Sequence, residues 1–104
     1  MFYELRQYEA HTSRMNDLID RFANVTTGMF ERHGFRAVGY WREEVGIPHR
    51  VIYLLAWESW EAREKAWAAF YADPEWPKSR ETYGETVRHM TNHILEPLPF
   101  SPLP

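Results

Sequence analysis

Val51-Ile52-Tyr53-Leu54-Leu55-Ala56-Trp57 runs for seven residues without a charge. Side chains alternate along a strand, so Val51, Tyr53, Leu55 and Trp57 share one side and the other side is apolar as well. That is the pattern of a strand in the middle of a covered sheet. The single polar side-chain atom of its interior, the phenol of Tyr53, needs a hydrogen-bond partner once buried. We place this stretch at the centre of one sheet and read the chain outward from it.

Gly46 and Pro48 punctuate a turn just before it, which makes Phe35 to Glu44 its hairpin partner. Phe35, Ala37, Gly39 and Trp41 fall on one side of that strand, and Val38 and Tyr40 lie with Arg36 and Arg42 on the other. On the C-terminal side, Ser59 is placed to cap a helix with Glu61 and Glu64 near its start and Trp60, Ala66, Trp67 and Phe70 as apolar members. Asp73-Pro74 ends or interrupts that helix, because proline disfavours helical geometry in the residue before it. A further short helical segment falls between Glu75 and Gly84.

The first strand is Phe2 to Tyr8, and it sets Glu4, Arg6 and Tyr8 on one side. Met15, Leu18, Ile19, Phe22, Val25, Met29 and Phe30 then recur at helical spacing, closed by Arg32, His33 and Gly34. Val87 to Glu96 reads as the last strand, with His89, Thr91, His93 and Leu95 on one side and Met90, Asn92 and Ile94 on the other. Four prolines fall among the eight residues 97–104, so this end is an extended tail. The order β-α-β-β-α-β predicts an α+β, ferredoxin-like fold in a single domain over 1–104, with helices on one side of an antiparallel sheet. Nothing in the chain is left to cover the other side. If that side carries Tyr53, Leu55, Trp57, Phe2 and Tyr8, a second copy of the sheet must cover it, giving a homodimer closed as a barrel.

Composition narrows the partners. With 12 basic and 15 acidic residues interspersed and a formal charge of −3, there is no footprint for nucleic acid or an anionic membrane. Cysteine is absent, which removes disulfides, thiolate nucleophiles and Cys-held metals. No apolar run approaches the roughly 20 residues that span a bilayer. The fold begins at residue 2 without a leader ahead of it, so the chain as given reads as cytoplasmic. The 5 Trp, 6 Tyr and 6 Phe are many for this length, and they suit an oligomer interface or a ligand cavity as readily as an aromatic core.

Several stretches, taken in order, resemble the NIPSNAP family: Tyr3-Glu4-Leu5-Arg6-Gln7-Tyr8, Arg32-His33-Gly34-Phe35 running into Val38-Gly39-Tyr40-Trp41, Ala72-Asp73-Pro74-Glu75-Trp76, and Asn92 leading to Pro97-Leu98-Pro99-Phe100-Ser101-Pro102-Leu103. The resemblance spans nearly the whole chain and implies a dimeric α/β barrel. It implies no defined activity, since related barrels include cofactor-free oxygenases, cyclases, isomerases and haem-using enzymes. Where many members carry a histidine in the middle strand, this sequence has Tyr53, so the resemblance brings no general base to that position.

Glu4, Arg6 and Tyr8 on one strand side, joined by Tyr53 from the neighbouring strand, would point into the barrel cavity. An arginine held by a glutamate orients a carbonyl or carboxylate, and a phenol donates to a developing oxyanion. A buried ion pair that fixes register is the structural reading of the same residues. His89 and His93 stand about 13 Å apart in a strand, too far to share a metal ion, although either alone could move protons in a cavity. Trp41, Trp57 and Phe22 could line an aromatic pocket or simply fill the core. No metal and no cofactor is called for. The expectation is a homodimer that binds a small apolar or carbonyl-bearing molecule. Glu4, Arg6, Tyr53 and His93 are its candidate catalytic residues, and Tyr8, Trp41, Trp57, Phe22 and His89 its ligand contacts. Proton transfer, isomerisation or cofactor-free oxidation is the chemistry this set would serve. The alternative is a non-catalytic interaction protein that works through its tail or through the helix around Trp60 and Trp67.

Overall fold

The computed structural model describes residues 1–103. Among them lie strands β1 (Phe2–Ala10), β2 (Arg36–Arg42), β3 (Arg50–Trp57) and β4 (Val87–Leu95), with helices α1 (Met15–Arg21), α2 (Thr27–Arg32), α3 (Trp60–Ala72) and α4 (Glu75–Tyr83). A π-helical turn, Phe22–Thr26, joins α1 to α2, so the first helix runs on through one widened turn. The sheet order is β2-β3-β1-β4 and every neighbouring pair is antiparallel. This is the α+β, ferredoxin-like arrangement expected, with Val51–Trp57 in an interior strand.

Local chemistry explains the boundaries. The Ser59 side chain accepts a hydrogen bond from the Ala62 amide and starts α3. Asp73 is extended ahead of Pro74, which separates α3 from α4. Gly34 takes a positive φ of 77° after α2, where a residue with a Cβ would be strained.

The faces of the sheet are assigned differently from the expectation. The side bearing Tyr53, Leu55 and Trp57 is the helix-covered one, and it is closed within a single chain. Tyr53 and Leu55 are fully buried there, with Leu18, Met29 and Phe30 from the helical layer. Rings bind the two layers: Phe22 lies 5.3 Å from Tyr53 and Phe30 5.8 Å from it, and Phe35 packs edge-on against Trp67 at 4.8 Å. The apolar helix stripes need an apolar sheet face, and the side with more rings supplies it. Glu4, Arg6 and Tyr8 therefore point under the helices, not into a space between two sheets. Trp67 is likewise core, while Trp60 is 53% exposed and stacks on Phe2.

The opposite side carries no helix. By register it holds Leu5, Gln7, Ile52, Leu54, His93 and Leu95, and Trp41 lies across Gly39, where an added Cβ would meet its ring at 2.7 Å.

Candidate functional site

β1 is the strand that organises the polar groups of the interior. Alternation sends Glu4, Arg6 and Tyr8 to the helix side, and register sets Arg6 opposite Tyr53 on β3 and Asn92 on β4, with Tyr8 opposite Met90. The result is one connected network rather than four separate side chains.

Glu4 is fully buried and receives six hydrogen bonds. Arg6 donates at 2.8 Å, Arg63 twice at 2.9 Å, the indoles of Trp57 and Trp67 at 3.0 and 3.2 Å, and the Asn92 amide at 3.2 Å. A carboxylate has about four lone-pair positions, so none is left for a ligand. Burial alone would raise its pKa. The bonds from Arg63, Asn92 and Trp67 and the charge of Arg6 outweigh burial and bring it to about 2. Glu4 is an anchored anion, and the ion-pair reading of Glu4 and Arg6 describes it.

Arg6 turns its other edge towards phenols. Its Nε and Nη2 donate to the Tyr8 hydroxyl at 3.2 and 3.1 Å, its Nη2 reaches the Met90 sulfur at 3.6 Å, and its guanidinium lies 4.4 Å from the Trp67 ring centroid. Burial would weaken its charge, but the phenols of Tyr8 and Tyr53 and the Glu4 carboxylate hold it above the ordinary guanidinium range. Tyr8 and Tyr53 join hydroxyl to hydroxyl at 2.8 Å. Of the two directions open to that bond, we assign Tyr53 as the donor, because its sealed hydroxyl has no other acceptor. Tyr53 is sealed with a 0% exposed side chain, and its hydrogen has Tyr8 as acceptor. Tyr8 then accepts from Arg6 and Tyr53, and its own hydrogen is left for the space it lines. Burial, then the neighbouring Tyr8, pushes the Tyr53 hydroxyl well above the ordinary phenol range, so it stays protonated.

That space is a cavity of about 170 Å³ between β1, β4 and the α4 end of the molecule, lined by Tyr8, Arg21, Tyr71, Trp76, Thr86 and Met90 among others. Its walls combine the rings of Tyr71 and Trp76, Val87 and the Met90 thioether with the charges of Arg80 and Glu85, with Tyr8 as the donor from the sheet and Arg21 from α1. Arg21 is 6% exposed and donates to the Thr86 hydroxyl at 3.1 Å.

The structure brings together Glu4, Arg6, Tyr8 and Tyr53, with Trp57 as a donor to Glu4 and Phe22 as the ring packed on Tyr8 at 5.7 Å. It separates the others. His93 pairs with Leu5 and His89 with Glu9, which puts both on the helix-free side, exposed and away from this network. Trp41 borders a different groove of about 340 Å³ with Ile19, Phe22, Tyr40 and Val51, on the β2 side. Among the described residues no cluster of three or more His, Asp or Glu could hold a metal ion. Arg63, Met90 and Arg21 belong to the site and were not among its candidates; of the two sides of the last strand that the sequence leaves open, the Asn92 side is the one that faces the network. Asn92 becomes legible once β4 is paired in register with β1. Arg21 had one signal, a charge three residues after Leu18 and next to Phe22 on the buried stripe.

An antiparallel β2-β3-β1-β4 sheet with one helix-covered face and a polar network beside a half-open cavity defines a ferredoxin-like protein with room for a small ligand. A model of the NIPSNAP family matches residues 3–102, and the chain belongs to that family. It is similar to a NIPSNAP family protein with unknown function from Agrobacterium tumefaciens, at 26% identity and TM-score 0.89 over 99% of this chain and 93% of that one. An uncharacterized NIPSNAP-like domain protein from Burkholderia xenovorans is 25% identical, with TM-score 0.87 over 97% and 88%. A proposed antibiotic biosynthesis monooxygenase from Bordetella bronchiseptica shares the fold at 16% identity, with TM-score 0.68 over 93% and 96%. No curated protein matches the sequence. No helix among the described residues is long and apolar enough to cross a membrane.

Proposed function

We propose that this NIPSNAP protein binds a small, mostly apolar molecule bearing an oxygen acceptor in the cavity beside Tyr8. The observation that carries this reading is the Tyr8 hydroxyl. It accepts from a buried cation and a buried phenol, keeps its hydrogen for the cavity, and sits beside the apolar surfaces of Tyr71, Trp76, Val87 and Met90. A donor polarised in this way stabilises negative charge on a bound oxygen. The reaction class it would serve is proton transfer, isomerisation or cofactor-free oxidation of a carbonyl compound, and the fold shared with an antibiotic biosynthesis monooxygenase supports a small-molecule role. Arg6 and Tyr53 act in this reading through Tyr8 as positioning residues, and Glu4 acts through Arg6. Titration with acetophenone, a neutral aromatic ketone, tests it through the Trp76 indole signal in NMR spectra. A saturable shift is expected, weakened about tenfold by Tyr8→Phe. No saturable shift, or equal binding by the variant, contradicts it.

We also propose a homodimer through the helix-free side of the sheet, where Trp41 is 53% and Leu95 42% exposed beside half-buried Leu5, Ile52 and Leu54. Sedimentation equilibrium should give a dimer that Leu54→Glu dissociates. A monomeric wild-type protein contradicts it.

A second reading, an interaction protein working through its tail, is favoured by Leu98 and Phe100, which are 60% and 83% exposed. Removal of residues 97–104 distinguishes the two. It should leave the acetophenone titration unchanged if the cavity is the functional site.

A further inference from the structure

Arg21 is a buried cation whose position the fold does not explain. The residue is 6% exposed, yet no carboxylate among the described residues lies within ion-pair distance of it. Nη1 donates to the Thr86 hydroxyl. Nε donates to nothing, and it is the one buried side-chain nitrogen or oxygen without a partner among the described residues. The guanidinium is 5.6 Å from the ring centroids of both Phe22 and Trp76, which partly offsets the lost hydration but supplies no counter-charge. A second cation, Arg80, lines the same cavity and repels it. Glu85 is also at this wall, exposed, and pairs with neither arginine.

A buried unpaired charge costs several kcal/mol of folding free energy, and a fold that keeps one in a cavity wall keeps it for something that enters. We propose that the cavity's ligand is a small monocarboxylate with a flat apolar body, anchored by Arg21. The proposal rests on the cavity reading above and names its substrate class. Each feature of the site has a counterpart in such a molecule. A carboxylate meets the part of the Arg21 guanidinium that lines the cavity with a charge-assisted hydrogen bond, and its second oxygen takes the Tyr8 hydrogen. The apolar body lies against Trp76, Tyr71 and Met90. Arg80 at the wall adds attraction on approach.

Calorimetric titration of the full chain with benzoate, its neutral isostere benzamide, and acetophenone tests the assignment. Wild type is expected to bind benzoate at least about tenfold tighter than benzamide, the difference one charge-assisted hydrogen bond supplies. Arg21→Met should remove that preference while leaving benzamide binding within about threefold. Its melting temperature should hold or rise, an outcome that a merely structural arginine would not give. Arg80→Gln, outside the buried core, keeps the test open if Arg21→Met fails to fold. Benzoate should then weaken by a few-fold and benzamide should not change. Equal binding of benzoate and benzamide by wild type, or an undiminished preference in Arg21→Met, overturns the carboxylate and leaves the cavity reading standing. Failure of all three compounds to bind wild type overturns both.

Discussion

Arg6 and Arg21 are both buried under the same helical layer, yet they are built in opposite ways. Arg6 meets a carboxylate, a phenol, a thioether and an indole face, and every edge of its guanidinium is used. Arg21 meets one hydroxyl and two rings, and its Nε is left over. The first arrangement closes on itself, as a group that holds strands and helices in register must. The second leaves a charge without a carboxylate in the wall of a cavity. Burial does not by itself separate a structural cation from a binding one, whereas the count of partners does.

The contrast can be broken at Arg6 most forcefully through its anion. Glu4→Ala leaves Arg6, Arg63, two indoles and an amide without their shared acceptor, and unfolding in urea should register a loss of about 3–5 kcal/mol. Acid sharpens the same point. The Glu4 pKa falls from 4.5 to about 2 on folding, so its stabilisation is fully present above pH 4.5 and is lost as pH drops towards 2. The depressed pKa contributes on the order of 3 kcal/mol, and denaturant midpoints measured down to pH 2 should fall less steeply in Glu4→Gln.

Tyr53→Phe comes next. It removes the donor that satisfies Tyr8 from behind, at a cost of about 1 kcal/mol, and the fold should persist in circular dichroism. If it does not, Tyr53 belongs with the core and not with the donor relay. At Arg21 the sign reverses. Exchanging an unpaired buried charge for Met should leave stability unchanged or raise it by on the order of 1 kcal/mol, read as the urea midpoint. The smallest effect belongs to His93→Ala, whose side chain lies on the helix-free side. Ligand binding should be unchanged and stability within about 0.5 kcal/mol of wild type.

The fold was legible because its signals were local: a charge-free Val51–Trp57, helical spacing from Met15 to Phe30, Ser59 as cap and Asp73-Pro74 as break. The side of the sheet that the helices cover was not legible. Ile52, Leu54 and Ala56 make the second side of β3 apolar too, so alternation divides its residues without ranking the two sides. The misplacement of the β1 candidates descends from that ambiguity. It sent Glu4, Arg6 and Tyr8 towards a second subunit; the last strand's inward side was open as well, and the pairing of Arg6 with Asn92 carries His93 to the other side. Arg21 escaped for a different reason. A lone basic residue in an amphipathic helix reads as solvent-facing, and only the closure of Trp76 and Thr86 over it, from residues more than fifty positions away, buries it.

The most direct measurement is the Nε–Hε NMR resonance of each buried arginine during a titration with benzoate. The Arg21 signal should move as benzoate pairs with its guanidinium and saturates, while the Arg6 signal, already committed to Tyr8, should stay within its starting envelope. An Arg21 resonance that does not move when the Trp76 indole reports saturation would contradict the claim that the Arg21 guanidinium is the anchor.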